Sequence, residues 1–349
     1  MRKLLKILFA LLLVTAVVVA SCAFVTSQAS VINNGHSVQA AQPQKYTSGV
    51  EETERAEDSV SASDYLTEYG VDTDEQWALT KLHIAELWQE IAEDKGIVVA
   101  VLDSGIDVNH EDLAGQVIGE ANFTDSPTAD DIYGHGTHIA GIIAAEDNGI
   151  GVIGIAPGYL LLNVKVADDR GRCDVSDLAR GIVWAVDNNA SVINISIEIK
   201  ESTPELEEAV QYAWDNGALI VAAAGNRCSQ EPVYPACYNS TISVAAIKED
   251  EKLAPLSNWG AWVDLAAPGY KIYSTFPGDT YEYESGTSFA AAHVSGIAAL
   301  LFNTATDTNG DGRINDEVKT IIEAGCIDIG ITGTGSGLLD AACVAALIG

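Results

Sequence analysis

Three segments carry an aspartate, a histidine and a serine in settings that suit nucleophilic catalysis. Asp103 ends an apolar run, His135 stands between two glycines, and Ser288 follows a Gly-Thr pair and precedes small residues. A serine hydroxyl is a weak nucleophile near neutral pH and needs a base within hydrogen-bond reach. We expect His135 to take the serine proton and later pass it to a leaving amine, and Asp103 to fix the imidazole tautomer.

The surrounding sequence predicts short buried strands that alternate with amphipathic helices. Continuous apolar runs predict strands over 97–102, 159–166, 190–197 and 218–224, and helical spacing predicts helices over 82–93, 136–145, 175–188 and 204–216. This alternation is typical of an α/β fold with a mostly parallel central sheet covered by helices on both faces. Asp103 and Asn226 then follow strand ends, at the edge where such sheets bind ligands.

Aspartate, histidine and serine in this chain order, each inside its own motif, resemble the subtilisin family. The motifs read Val-Leu-Asp-Ser-Gly around Asp103, Gly-His-Gly-Thr-His around His135 and Gly-Thr-Ser-Phe-Ala around Ser288. A fourth motif, Ala-Ala-Ala-Gly-Asn ending at Asn226, resembles the family segment whose asparagine amide donates to the oxyanion. The resemblance implies a three-layer peptidase domain over 69–349 that hydrolyses peptide bonds through an acyl-enzyme on Ser288.

The resemblance also implies which residues contact a polypeptide substrate. Segments 171–173 and 196–198 would pair with the substrate backbone, and residues 223–226 would line the pocket for the side chain before the cut. The residues concerned are Gly171, Cys173, Ser196, Ile197, Glu198, Ala224 and Gly225. Cys173 stands where glycine is usual, and a free thiol there would make the enzyme sensitive to thiol reagents.

Glu198 and Ile199 depart from the family pattern, which has two glycines after the serine and its apolar neighbour. The Glu198 side chain has three open roles: it narrows the pocket, it favours a basic substrate residue, or it points to solvent. An altered cleft leaves room for two other functions. One is a protease-like binding protein with weak catalysis, and the other is a dedicated processing protease with one partner substrate.

Two segments suggest structural Ca²⁺ sites. By resemblance, the family's calcium site is matched by Asp112 and by Asn148, Ile150 and Val152 of the loop 146–152, with Asp72 or Asp74 as a further ligand. By motif, the first positions of an EF-hand-type loop are matched by Asp307, Asn309 and Asp311. The acid expected at the twelfth position is replaced by Val318. We therefore expect weakened binding there, with a plain loop rich in Asp and Asn as the alternative.

The N-terminal residues predict export. A basic start and an apolar run over 7–20 are typical of a signal segment over 1–22. The sequence Val-Ala-Ser-Cys ending at Cys22 resembles a lipobox, in which Cys22 would carry a lipid; ordinary cleavage further along is the alternative. Residues 23–68 are polar and acidic, which predicts a flexible linker. We expect an extracytoplasmic enzyme, either secreted or anchored to the cell surface by its lipid.

Composition narrows the partners. The net charge is −32 with only 18 lysines and arginines, which excludes a nucleic-acid-binding surface. We expect a monomer whose partners are polypeptide substrates. The export signal implies an oxidising compartment, and in it we expect two disulfides, Cys228–Cys237 and Cys326–Cys343.

Overall fold

A computed structural model describes residues 66–67, 71–91 and 96–349. The predicted export signal, Cys22 and almost all of the predicted linker 23–68 lie outside these residues. None of the helices in the described ranges is long and apolar enough to cross a bilayer.

The described residues form one nine-stranded sheet and a separate two-stranded hairpin. The hairpin directly precedes the segment that contains Ser288. The sheet has the spatial order β10-β11-β7-β6-β5-β4-β1-β3-β2, and its neighbouring strands are parallel except for the antiparallel pair β10–β11. Its strands are β1 (Val98–Asp103), β2 (Val117–Asn122), β3 (Leu160–Lys165), β4 (Val192–Ile195), β5 (Leu219–Ala223), β6 (Thr241–Ile247), β7 (Leu265–Pro268), β10 (Cys326–Ile327) and β11 (Leu338–Leu339). The hairpin consists of β8 (Tyr270–Phe276) and β9 (Thr280–Ser285).

Helices cover both faces of this sheet. They are α1 (Trp77–Lys81), α2 (Ile84–Glu90), α3 (His135–Ala144), α4 (Val175–Asp187), α5 (Pro204–Asp215), α6 (Thr287–Phe302), α7 (Asn315–Ala324) and α8 (Ala341–Ile348). Alternate residues of β1 divide between two apolar clusters. Val99 and Val101 pack in the cluster that contains α3 and α6, whereas Ala100 and Leu102 pack in the cluster that contains α4 and α5. The predicted α/β fold with a mostly parallel sheet between two helical layers is therefore confirmed.

One predicted helix is shorter than expected. A continuous helix over 82–93 was expected, but His83 has a left-handed backbone with φ of 52°. An L-residue in that region cannot continue a right-handed helix. Within the predicted range the helix therefore begins at Ile84, as α2, and ends at Glu90, while α1 ends at Lys81 before that range. Residues 92–95 lie outside the described part.

The predicted disulfides are absent from the described residues. Cys228, Cys237, Cys326 and Cys343 are all free thiols in the structure, as is Cys173. The Cys326 thiol donates a hydrogen bond to the carbonyl of Ile322, 3.3 Å away, instead of bonding to Cys343. Spacing along the chain does not fix the direction of a side chain, and a disulfide needs Cβ atoms about 4 Å apart.

Candidate active site

Asp103 and His135 form a hydrogen-bonded pair at the carboxyl edge of the sheet. Asp103 is the last residue of β1 and is 3% exposed, and His135 is the first residue of α3. The distance from His135 Nδ1 to Asp103 Oδ1 is 2.8 Å, and the same oxygen accepts the Ser104 N–H at 2.7 Å. Burial works against the imidazolium, but the charge and hydrogen bond of Asp103 outweigh it and raise the pKa of His135. His135 is therefore a base whose proton affinity is increased by Asp103.

Asp131 fixes the chain at the start of α3. Its buried carboxylate accepts the N–H groups of Gly134 and Thr137, each at 2.8 Å, and that of Tyr133 at 3.1 Å. It also accepts the hydroxyls of Ser104 and Thr137 at 2.9 and 2.7 Å. His135 thus lies between Gly134 and Thr137, whose N–H groups both donate to the Asp131 carboxylate. No local sequence pattern indicates these five bonds, because their donors lie on segments that the fold brings together.

Gly134 precedes His135 in a conformation that requires glycine. Its φ is 95°, and a Cβ added to it would lie 2.3 Å from the ring of Phe276. Both the left-handed backbone and the close ring exclude a side chain here. Gly134 therefore determines the backbone conformation from which α3 begins.

Lys165 is a buried cation next to the Asp103 strand end that sequence reasoning missed. It is fully buried on β3, where its Cα is the register partner of Asp103. Its ammonium donates to the carbonyls of Ser104 and Asp130 and pairs with Asp169 at 3.0 Å. A buried ammonium needs such partners, so Lys165 holds the backbone that follows Asp103. The sequence did contain a sign of this role, because a lysine at the end of an otherwise apolar strand predicts a buried cation with specific partners.

Ser288 lies in the first turn of α6 and is 4% exposed. The ring of Phe289, the next residue, lies 5.5 Å from the His135 ring, so the histidine and serine segments are adjacent. The first N–H groups of an α-helix have no partner within the helix. They also lie at the positive end of the helix dipole, which favours a developing negative charge.

Thr287 orients the Asn226 amide, and sequence reasoning missed this role. Asn226 Oδ1 accepts the Thr287 N–H at 2.8 Å and its hydroxyl at 3.1 Å, while that hydroxyl accepts the Gly225 N–H at 2.9 Å. Because both Thr287 groups donate to the amide oxygen, the amide nitrogen is left as the group that can donate to a ligand. A Cβ added to Gly286 would lie 3.3 Å from that nitrogen, which places the amide beside the turn that carries Ser288.

The two other histidines near the motifs are buried and bond to backbone carbonyls. His138 Nε2 lies 3.0 Å from the Glu282 carbonyl, and His293 Nδ1 lies 2.7 Å from the Phe289 carbonyl. Burial lowers the pKa of each to about 4. Neither ring carries charge near neutral pH. The His138 bond links α3 to β9, whereas the His293 bond lies within α6.

The first predicted substrate segment lies beside the histidine loop. Gly171 approaches the ring of Tyr133, and Cys173 forms an isolated antiparallel bridge with Ala167. The Cys173 thiol is partly buried and donates to the Asp174 carbonyl at 3.3 Å. Burial raises the pKa of this thiol to about 12. It is therefore a poor thiolate source, contrary to the reagent sensitivity expected from sequence.

The second predicted substrate segment follows β4 and lies next to the chain that follows β5. The two strands pair in parallel, with Ile195 opposite Ala222, so Ser196, Ile197 and Glu198 run beside Ala224 and Gly225. The Glu198 side chain is 18% exposed and forms an ion pair with Arg227. It therefore turns toward the neighbouring segment, and the solvent-facing alternative is wrong.

The two predicted calcium segments show different local bonding. Asp112 is fully buried, and its carboxylate accepts the Val152 N–H at 2.9 Å and the Asn148 amide at 3.1 Å. In the second loop, Asp307 accepts the N–H groups of two glycines, and Asp311 binds the Arg313 guanidinium at 2.6 Å. Asp72 caps its own turn, at 3.0 Å from the Asp74 N–H. In the described ranges, no three acidic, histidine or cysteine side chains are arranged to hold a metal ion.

The α/β fold of the described residues is that of a subtilisin-like serine peptidase. The profile of the subtilase family, Peptidase_S8, matches residues 94–323. The chain belongs to the subtilase family and is a serine endopeptidase.

Curated relatives agree with this assignment. The chain is 40% identical over 261 residues to thermitase of Thermoactinomyces vulgaris, covering 74% of this chain and 91% of that protein. It is 43% identical over 249 residues to a thermophilic serine proteinase of Bacillus sp. strain AK1, covering 71% of this chain and 60% of that protein. It is 42% identical to the major intracellular serine protease of Bacillus subtilis strain 168 over 62% of this chain and 71% of that protein.

A solved structure shares the fold. It belongs to a group described as proteases from Pseudoalteromonas arctica PAMC 21717 and superposes with a TM-score of 0.71 at 30% identity. The superposition covers 79% of this chain and 98% of that one.

Proposed function

We propose that this endopeptidase cleaves polypeptides through an acyl-enzyme on Ser288, with Asp103 and His135 completing the triad. The observation that carries the proposal is the 2.8 Å bond between Asp103 and His135 Nδ1, next to the helix start that bears the serine. With Nδ1–H donated to Asp103, Nε2 is the free basic nitrogen that can accept the serine proton.

The reaction follows from these roles. Ser288 Oγ attacks the scissile carbonyl carbon while His135 Nε2 takes the hydroxyl proton, and Asp103 stabilises the imidazolium. The imidazolium then protonates the leaving amine as the C–N bond breaks, which leaves the acyl group on the serine oxygen. Water, deprotonated by the same histidine, attacks the ester and releases the carboxylic acid product.

Asn226 and the Ser288 N–H would bind the oxyanion of the tetrahedral intermediate. The amide nitrogen of Asn226 is already oriented by Thr287, so little reorganisation is needed when the charge develops. Preorganised donors of this kind stabilise the transition state more than the ground state. The substrate backbone would extend along segments 171–173 and 196–198, with Gly171, Cys173 and Ser196 among the contacts.

Labelling with a fluorophosphonate tests the nucleophile. The probe reacts only with an activated serine, so the wild type should be labelled and Ser288→Ala should not. Ser285→Ala, three residues earlier, is the matched control and should keep the label. A label that persists in Ser288→Ala would place the activated nucleophile at another residue, and a wild type that takes no label would favour a protease-like binding protein. Either result contradicts the proposal. Cleavage of a mixed peptide library then separates a general protease from a dedicated processor, because a processor cuts few sequences.

We place the enzyme outside the cytoplasm, held by a lipid on Cys22. Support comes from residues 1–22 of the sequence, which lie outside the described residues. The relatives include proteins named intracellular, so the family alone does not fix the compartment. Mass spectrometry of the mature N-terminus is the test. A diacylglyceryl-modified Cys22 is expected, and an unmodified start beyond it contradicts the anchor.

We propose that the loop containing Asn148 binds a structural Ca²⁺ ion. Asp112 is a fully buried carboxylate, and among the described residues no lysine or arginine pairs with it. A buried carboxylate without a cation is costly, and carboxylate, amide and carbonyl oxygens are the ligands that Ca²⁺ prefers. Asp112, Asn148 and the carbonyls of Ile150 and Val152 would hold the ion, which would supply the missing positive charge.

The loop that contains Asp307 fits the ion less well, and we propose it as the weaker site. Asp311 is already paired with Arg313, and Glu317 accepts the hydroxyl and N–H of Thr308 at 2.8 Å instead of reaching across the loop. These hydrogen bonds lower the pKa of Glu317 to about 2. Asn309 would supply its amide oxygen.

Thermal melts of the Ser288→Ala protein, with Ca²⁺ or with a chelator, test both sites. An ion that binds only the native state raises the melting temperature. Asp112→Asn should abolish most of the calcium-dependent shift and Asp307→Asn a smaller part, whereas the exposed control Asp125→Asn should leave it intact. A melting temperature that does not respond to the chelator contradicts both sites.

A further inference from the structure

The Glu198 carboxylate occupies the space between the two segments that follow β4 and β5. Its Oε2 atom lies 3.4 Å from the Asn226 N–H nitrogen, and a Cβ added to Gly225 would lie 2.6 Å from the same oxygen. Its other oxygen pairs with Arg227 Nε. The left-handed Gly225, with φ of 98°, allows this close approach because it has no side chain.

The resemblance to the subtilisin family assigns this space to the substrate side chain before the cut. The proposed oxyanion site fixes the scissile carbonyl between Asn226 and Ser288. The side chain in question is attached one bond away from that carbonyl carbon. The resemblance implies that this side chain is lined by residues 223–226, which places it in the gap between segments 196–198 and 224–226, beside the Glu198 carboxylate. This step rests on the proposed function of Asn226 and Ser288.

The two members of the ion pair differ in their freedom to move. The Glu198 side chain is 18% exposed and is held against Gly225 and Asn226, whereas the Arg227 side chain is 52% exposed. A long arginine side chain with its head in water can swing away at small cost. A carboxylate that is largely buried cannot lose its cation without a large penalty.

We propose that Glu198 is the specificity-determining residue of this pocket and that Arg227 holds the place of a basic substrate side chain. A lysine or arginine before the cut replaces Arg227 as the partner of Glu198, so the carboxylate stays paired throughout. An apolar side chain displaces Arg227 and leaves the carboxylate unpaired, and an acidic one brings two carboxylates together. The enzyme therefore cleaves after basic residues.

The test uses fluorogenic peptides that differ only in the residue before the cut: Arg, Lys, Leu, Ala or Glu. Wild-type kcat/KM should be about 10–100-fold higher for Arg and Lys than for Leu, since a hydrogen bond to a charged group is worth that factor. Glu198→Gln, which keeps the side-chain shape, should remove this preference by lowering the rate for Arg and Lys. Glu201→Gln, an exposed neighbour in the same loop, is the matched control and should keep it.

A second variant, Arg227→Gln, tests the proposal even if Glu198→Gln does not fold. Arg227→Gln removes the competing cation, so the ratio of kcat/KM for the Arg and Lys peptides to kcat/KM for the Ala peptide should rise at least threefold. Fluorophosphonate labelling of every variant separates the two proposals. An unlabelled wild type means that the nucleophile assignment has failed. Labelled enzyme that prefers Ala because the pair blocks the pocket, or an Arg-to-Leu ratio unchanged in Glu198→Gln, overturns the role of Glu198 alone.

Discussion

Replacing Asp131 with asparagine should both destabilise the protein and displace His135, the proposed catalytic base. The carboxylate accepts five hydrogen bonds, three at Oδ1 and two at Oδ2. An asparagine keeps one acceptor oxygen and replaces the other with a donor. If the oxygen stays on the side of Gly134, the new NH₂ group faces the Thr137 N–H, which then has no acceptor in a buried site.

The magnitude follows from these bonds. One buried N–H left unsatisfied costs about 1–3 kcal/mol, and the bonds that remain lose the extra strength of a charged acceptor. A neutral amide is easier to bury than a carboxylate, which offsets part of the loss. We expect Asp131→Asn to lower the free energy of unfolding by about 2–4 kcal/mol. Because His135 lies between two anchored residues, kcat should fall by about 10–100-fold.

Stability is measured by urea unfolding in a Ser288→Ala background, which prevents self-digestion. The activity of Asp131→Asn is measured with the serine intact. Asp130→Asn is the matched control, since its exposed carboxylate bonds only to the Thr128 hydroxyl among the described residues. The control should change the free energy of unfolding by less than about 0.5 kcal/mol. A loss below about 1 kcal/mol with unchanged kcat would refute the anchoring role of Asp131.

Three further outcomes are expected. Asp103→Asn should lower kcat by about 10⁴, as in other serine protease triads, and should move the acid limb of kcat/KM to lower pH. The sign follows because Asp103 raises the pKa of His135, so without that charge the imidazole stays neutral to lower pH; an acid limb that moves to higher pH contradicts this. Asn226→Ala should lower kcat by about 10²–10³, the value we take from subtilisin, with KM nearly unchanged; a loss confined to KM would place Asn226 in ground-state binding. Peptide mapping after iodoacetamide should find the exposed Cys228 modified at least about tenfold faster than Cys173, whose burial raises its pKa to about 12; equal rates would mean that Cys173 is accessible as a thiolate.

The apolar runs and the motif order were enough to predict the central sheet and the family. Strands buried on both faces read as continuous apolar segments, so β1, β3 and β5 were visible in the sequence. Glycine and small residues around His135 and Ser288 identified the two segments because close backbone approach leaves little choice of residue. The break at His83 was not visible, because a left-handed backbone at a non-glycine residue has no local signature.

The sequence by itself predicted which residues perform chemistry, because a nucleophile, a base and an orienting acid each need a particular functional group. Only the tertiary structure decided how those groups are supported. Thr287 orients Asn226, Lys165 holds the chain after Asp103, and Asp131 joins the turn before His135 to Ser104, in each case through a contact between segments distant along the chain.

The same distinction applies to the cysteines and to Glu198. Composition and a predicted export signal suggested disulfides, but bond formation depends on side-chain direction, and the described cysteines are free thiols. An acid in place of a glycine left several roles open for Glu198. Its ion pair with Arg227 depends on how two strand ends lie side by side, and that position is a property of the folded chain.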